Sequence, residues 1–232
     1  GAGALTKSGS GTLTLSGTST FTGATAITAG KIAISSNAAL GATNGATTVS
    51  SGAALSISGG ITVAEAITIS GTGISSGGAI VFTGGANTYS GAISLGATST
   101  IVSSSGTQTI SGATNGGQIL TITTSDDLVI SGIVGGSTEL SSYTINSSGD
   151  ATINVNVKTS GNQSYTASDG VVLSGARTFE GGTITFASTT TGDNNLTITG
   201  NLDVDAAISG IAVLGVSGTS NLGANVSSTG TQ

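Results

Sequence analysis

The sequence predicts an all-β chain wound as a solenoid of short strands, with coils of roughly 21 residues. Three observations carry that expectation. Apolar residues alternate with Thr, Ser or Asn in segment after segment. A short cassette, alternating residues closed by Ser-Gly or Thr-Gly, recurs along the chain. A longer phrase occurs three times, as VSSSGTQ at Val102 to Gln108, VKTSGNQ at Val157 to Gln163 and VSSTGTQ at Val226 to Gln232.

The alternation defines the strands in order. Thr12-Leu13-Thr14-Leu15, Leu55-Ser56-Ile57, Ile61-Thr62-Val63, Ile67-Thr68-Ile69, Ile119 to Ile122, Thr152 to Val157, Thr183 to Phe186 and Leu196 to Ile198 all place Ile, Leu and Val on one side and hydroxyl or amide residues on the other. Period two is the strand period, and β-branched residues favour strands. Each run is three to six residues long and ends in Gly, Asn, Asp or Ser-Gly, which are turn residues. No segment combines the 3.6-residue period with helix formers and caps, so essentially no helix is expected.

Spacing favours a solenoid over a sandwich. The closing glycines Gly17 and Gly59 are 42 residues apart, Gly71 and Gly112 are 41, Gly112 and Gly132 are 20, and Gly132 and Gly175 are 43. These are near one or two multiples of roughly 21. The 25 residues from Gly175 to Gly200 read as a coil with a loop insertion. The unequal separations of the longer phrase, 55 and 69, read the same way. About eleven coils at ~4.8 Å would make a rod on the order of 50 Å long. A lone coil buries too few apolar side chains to offset its backbone entropy, so coils must be stacked and their open edges covered.

Composition narrows the class. The chain has 232 residues with 40 Gly and no Pro, Cys, Met, Trp or His. Only 6% of residues are charged while 36% are hydrophobic, and the mean hydropathy is +0.36. That is not the profile of a disordered chain. Without Cys there are no disulfides and no thiol metal site, which a repetitive stack does not need. No apolar run approaches the ~20 residues of a membrane-spanning helix. The net charge is −6, and the four basic residues Lys7, Lys31, Lys158 and Arg177 cannot form a phosphate-binding stripe, which argues against nucleic acid as a partner. The chain opens on Gly1 and the third copy of its longer phrase ends at Gln232, so the expectation is a segment of something longer.

Residues 3 to 34 read GALTKSGSGTLTLSGTSTFTGATAITAGKIAI. This resembles the passenger-associated repeat of bacterial autotransporters, G-x-L-T-K-x-G-x-G-T-L-T-L-S-G-x-N-T-Y-T-G followed by T-x-I-x-x-G. Gly3, Leu5, Thr6, Lys7, Gly9, Gly11, Thr12, Leu13, Thr14, Leu15, Ser16, Gly17, Thr20, Phe21, Thr22, Gly23, Ile27 and Gly30 match it, with Ser19 for Asn and Phe21 for Tyr. GGANTYSGAISL at Gly84 to Leu95 is a fainter echo. The second half, with its G-T-Q phrases, is similar to the repeat region of filamentous-haemagglutinin-like surface proteins. The resemblance implies a right-handed parallel β-helix, exported and displayed at a Gram-negative cell surface, and it carries no catalytic residues to transfer. The corresponding division is one solenoid over 1–232, with autotransporter-repeat-like coils over 1–100 and haemagglutinin-like coils over 101–232.

Three groups invite chemistry. Asp126-Asp127, with Asp169, offers the paired carboxylates of glycoside hydrolysis. Polygalacturonases on β-helices add His and a basic motif to such a pair, and this chain has no His. A solvated turn before Leu128 is therefore the better reading. Asp193, Asp203 and Asp205 are the candidate metal residues, with Ca²⁺ as the cation their oxygens would take. The Ca²⁺-binding nonapeptide of β-rolls is absent, and a turn plus a solvated face is preferred. Thr-x-Thr pairs at Thr12/Thr14, Thr121/Thr123, Thr183/Thr185 and Thr197/Thr199 are too irregular for an ice-binding ladder and read as an outward hydroxyl face. Inward Asn is expected to form ladders, whereas Asn154 and Asn156 should face out.

The expected function is that of a structural, adhesive segment, not an enzyme, with no catalytic residue and no cofactor. Partners would be a host or neighbouring-cell surface, glycans, or other copies of the chain. A carbohydrate-active β-helix and an end-to-end assembling fibre are the alternatives. A translocator barrel or a secretion domain in the flanking polypeptide would separate these readings.

Overall fold

A computed structural model describes residues 1–230. The chain winds as a parallel β-solenoid in which every strand pair is parallel and joins one turn to the next. Among the described residues there is no α-helix, and a single 3-10 turn occupies Ile74–Ser76.

Two of the three walls run the full length. The first wall is a ladder of eleven rungs, Leu5, Thr25, Thr47, Ile67, Ile93, Thr114, Val134, Val157, Phe179, Ile198 and Val216. The second also has eleven, Leu13, Ile32, Leu55, Ile80, Ile101, Ile122, Ile145, Tyr165, Phe186, Val204 and Leu222. Successive rungs of the second wall are 18 to 25 residues apart, so the expected coil length holds on average. Three long strands, Ile93–Ser103, Arg177–Phe186 and Leu196–Val204, run through the corner between these walls without a break. The third wall starts only at Thr62–Val63, and its rungs Val63, Tyr89, Ile110, Ile130, Ile153 and Leu173 follow in register. Before residue 62 that side of the coil is closed by turns.

The alternation read from the sequence decides which side chains enter the core. In Ser142–Ser147, Tyr143 and Ile145 are buried while Thr144 and Asn146 face out. In the same way Val155 and Val157 are buried and Asn156 is exposed. Rungs stack about 4.8 Å apart, so along the second wall each apolar side chain meets another above and below, while on the first wall buried Thr25, Thr47 and Thr114 stand among apolar rungs. Between Tyr143 and Phe186 the core carries an aromatic cluster. Tyr165 stacks on Phe186 with ring centroids 5.4 Å apart and meets Phe179 edge-on at 5.3 Å.

The walls correct the reading of the repeat spacing. VSSSGTQ turns the chain from the second wall to the third, whereas VKTSGNQ turns it from the first to the second. The third copy leaves the third wall at Val226–Ser228, and its last residues, Thr231 and Gln232, lie outside the described residues. The phrase is therefore a corner module not tied to one corner, and its separations span non-integral numbers of turns. The glycines behave alike. Gly17 and Gly59 leave the second wall, Gly112, Gly132 and Gly175 leave the third, and Gly71 and Gly200 lie between the first and second. The 25 residues from Gly175 to Gly200 reflect that change of corner and need no inserted loop.

Candidate functional site

The chemistry of this chain is concentrated at its corners, where polar side chains from one turn serve the backbone of the next. Gln108 ends the first copy of the phrase, is fully buried, and turns inward. Its Nε2 donates to the carbonyls of Gly85 (3.0 Å), Ser105 (2.9 Å) and Gly106 (2.7 Å). Its Oε1 accepts from the backbone N–H and the Nδ2 of Asn87. Asn87, also buried, accepts at Oδ1 from the N–H groups of Gly60 and Ile61. The expected inward amide ladder is thus two rungs deep, and it clasps three successive turns. Gln163, ending the second copy, makes a smaller clasp, donating to Thr159 Oγ1 and the Glu180 carbonyl and accepting from the Tyr165 hydroxyl at 2.7 Å. A tight turn exposes carbonyls that strands cannot satisfy, and a buried primary amide supplies donors for them.

Outward Asn residues do the complementary work. Oδ1 of Asn37, Asn115, Asn156, Asn162 and Asn201 accepts a backbone N–H from the following turn, at Thr62, Ser137, Thr178, Thr183 and Thr219 respectively. The aspartates also accept across turns, from the turn before as well as the turn after. Asp126 accepts from the Gly106 N–H at 3.2 Å, and Asp127 accepts from the Asp150 N–H at 3.0 Å and from the Thr107 hydroxyl. A Cβ at Gly149 would strike the Asp127 carboxylate, so glycine there makes room for the clamp. Asp169 lies at the same corner, beside Gly170, which pairs with Asp150. The pair read as candidate hydrolytic carboxylates is therefore engaged with backbone groups of the adjoining turns. Two surface dents lie elsewhere, one around Lys31, Ser56 and Gly78 and the other around Ser174, Thr191 and Asp193.

The candidate metal residues are placed apart. Asp193 sits in the turn after the third wall, where it accepts from the Gly175 N–H and from Asn194 Nδ2; these bonds hold its carboxyl below the ordinary range. Asp203 faces out from the second wall and accepts from Asn221 Nδ2 at 2.8 Å. Asp205 follows at the next corner, with its N–H on the Phe186 carbonyl. Among the described residues no three His, Cys, Asp or Glu side chains are grouped to hold a metal ion. The Thr-x-Thr pairs are likewise divided, with Thr12/Thr14, Thr121/Thr123 and Thr183/Thr185 on the second wall and Thr197/Thr199 on the first.

Three features escape sequence reading. Lys158 bridges Glu139 (3.0 Å) and Glu180 (3.1 Å), an ion ladder over the outside of successive turns. A column of glycines follows the third side of the coil, in which a Cβ on Gly23, Gly45, Gly91, Gly112 or Gly132 would overlap a backbone carbonyl of the preceding turn. Its signal was available as Gly-Ala at residues 3–4, 23–24, 45–46, 91–92 and 112–113. Each of these alanines from Ala24 on receives a backbone N–H of the turn before it, as in Leu5 N–H to Ala24 O at 3.0 Å. The column has one non-glycine member, Glu65, which is buried; Thr47 Oγ1 donates to its Oε1 at 2.6 Å.

The first turn shows what the opening motif does. Lys7, 8% exposed, donates from Nζ to the carbonyls of Ser8, Gly9 and Ala29. Gly30, at φ +67°, presses its backbone against Gly9, Gly11 and that ammonium, a place no side chain can occupy. The Lys and glycines of the motif thus build one corner. No curated protein and no solved structure matched the chain. Residues 5–34 match the family model of the passenger-associated-transport-repeat, which is not an enzyme family, and this match at the start of an eleven-turn parallel solenoid fits a segment of an autotransporter passenger.

Proposed function

We propose that this chain is a rigid rod segment of an exported bacterial protein, displayed at the outer surface of a Gram-negative cell, where it spaces and presents adhesive activity. The observation that carries this reading is the passenger-repeat match at residues 5–34 on a solenoid whose two long walls stack eleven rungs without interruption. Each turn contacts only its neighbours, so stability accumulates along the rod and no disulfide is required. Outward Thr, Ser and Asn hydrate the walls with little charge, a surface suited to hydroxyl-rich partners such as glycans, to a host or neighbouring-cell surface, or to further copies of the chain.

The test is display of the full chain, fused ahead of a translocator barrel on Gram-negative cells, against cells carrying the barrel alone. Antibody access on intact cells and retention on immobilised glycans and host cells are the readouts. The proposal expects access to the whole chain and retention above the barrel-only control. A chain retained inside cells that export the barrel would overturn the exported-rod reading. Full display without added retention would overturn its adhesive part.

A further inference from the structure

Glu65 stands where the architecture changes from two walls to three. The third wall begins two residues before it, at Thr62–Val63, and the turn after it carries the excursion at Ile74–Ser76, with Ser75 and Ser76 in the left-handed region. Its backbone occupies a glycine position, since a Cβ on Gly91 of the next turn would overlap the Glu65 carbonyl. Its side chain, 3% exposed, is turned under the stack toward Thr47 of the preceding turn.

The surroundings hold no counter-charge. Packed against Glu65 are Thr47 from the turn before and Tyr89 and Gly91 from the turn after. Tyr89 is the titratable one, and its hydroxyl donates to the Glu65 backbone carbonyl at 2.8 Å, not to the carboxylate. Burial, and the Glu65 charge itself, push that phenol up, so it stays protonated. The ammonium of Lys7 is bound by three carbonyls elsewhere, and the ion pairs among the described residues belong to Lys158. Glu65 Oε2 has no partner, and Thr25 Oγ1, two rungs below Ile67 on the first wall, is likewise buried and unpartnered. A buried carboxylate with one bond and no cation favours its neutral form.

We propose that Glu65 is a pH-sensitive seam, closed when its carboxyl is protonated and loosened when it ionises, between the N-terminal turns before Thr62 and the three-walled body that follows. Burial raises the carboxyl from the usual 4.5 to about 7 in the folded chain. Between those values the folded state holds a proton that the opened state releases, so stability falls as pH rises through that window and is flat above it.

The experiment is amide hydrogen exchange of the full chain at pH 5 and pH 8, read as protection factors. Linkage between 4.5 and 7 predicts protection about 70-fold lower at pH 8 for Thr47, Val49 and Ile67, with Ile145 and Tyr165 unchanged. Glu65→Gln keeps the shape without the charge and should abolish the difference, whereas Glu139→Gln should leave it. A pH response shared equally by Ile145 and Tyr165, no response at Thr47 and Ile67, or a response that survives Glu65→Gln would each overturn the proposal. If Glu65→Gln fails to fold, the contrast between the two regions of the native chain decides alone.

Discussion

Replacing Gln108 with Ala tests whether the recurring phrase is a structural clasp. The side chain makes five hydrogen bonds from a fully buried position. Their partners are not equally exposed to the loss. Gly85 O retains a donor in Asn87 Nδ2, Ser105 O retains Ser103 Oγ, and Asn87 Nδ2 retains Gly84 O and Gly85 O. The Asn87 N–H and the Gly106 carbonyl have no second partner in the structure. A buried group left unpaired costs about 1–3 kcal/mol, and a lost but replaceable bond about 1 kcal/mol or less. Gly106 lies near the surface, so water relieves part of its share. The expected loss is therefore about 3–4 kcal/mol, well below a simple sum over five bonds. Urea unfolding followed by far-ultraviolet circular dichroism measures it, with Gln118→Ala as the control. Gln108→Glu sharpens the test, because a carboxylate would face three carbonyls with nothing to donate, and it should be worse than Ala at neutral pH and partly recover in acid. A Gln108→Ala variant within about 1 kcal/mol of the parent would refute the clasp.

Other outcomes follow from the same geometry. Gly112→Ala should destabilise by about 1–3 kcal/mol, because its Cβ overlaps the Gly91 carbonyl, whereas Gly17→Ala meets nothing within 4 Å and should be neutral or slightly stabilising; equal effects in thermal melts would contradict the glycine column. Lys158→Gln removes both links of the outer ion ladder, and its loss of stability should shrink as salt is added; a loss insensitive to ionic strength would mean that packing, not charge, holds those turns. Asp127→Asn keeps the acceptor for the Asp150 N–H and should stay within about 0.5 kcal/mol of the parent, while Asp127→Ala should not; an Asn variant as unstable as the Ala one would show that the charge matters.

Much of the wall structure was legible because strands obey local rules. The alternation in Thr152 to Val157 predicted which way Ile153, Asn156 and Val157 face, since neighbouring side chains on a strand must point oppositely. The clamps were less legible. Asp126-Asp127 and Asn115 are turn residues to any sequence reading, and only the turn above or below reveals what their oxygens accept. Glu65 was the least legible, because a lone charged residue reads as solvated until the stack closes over it.

By itself the sequence determined an all-β stack, the average coil length, the kind of side chain on each side of the clearly alternating strands, and the passenger-repeat character of the first turns. These depend on period-two alternation and turn chemistry, which act within a few residues. The tertiary structure decided which corner each repeated phrase occupies, where the third wall begins, and which polar groups face inward. The physical reason is that the Gly-Thr/Asn-Gln turn carries no mark of its corner, since VSSSGTQ and VKTSGNQ turn the chain at two different ones. The choice among them, and the partners found there, come from residues about twenty positions away that only stacking brings within hydrogen-bond distance.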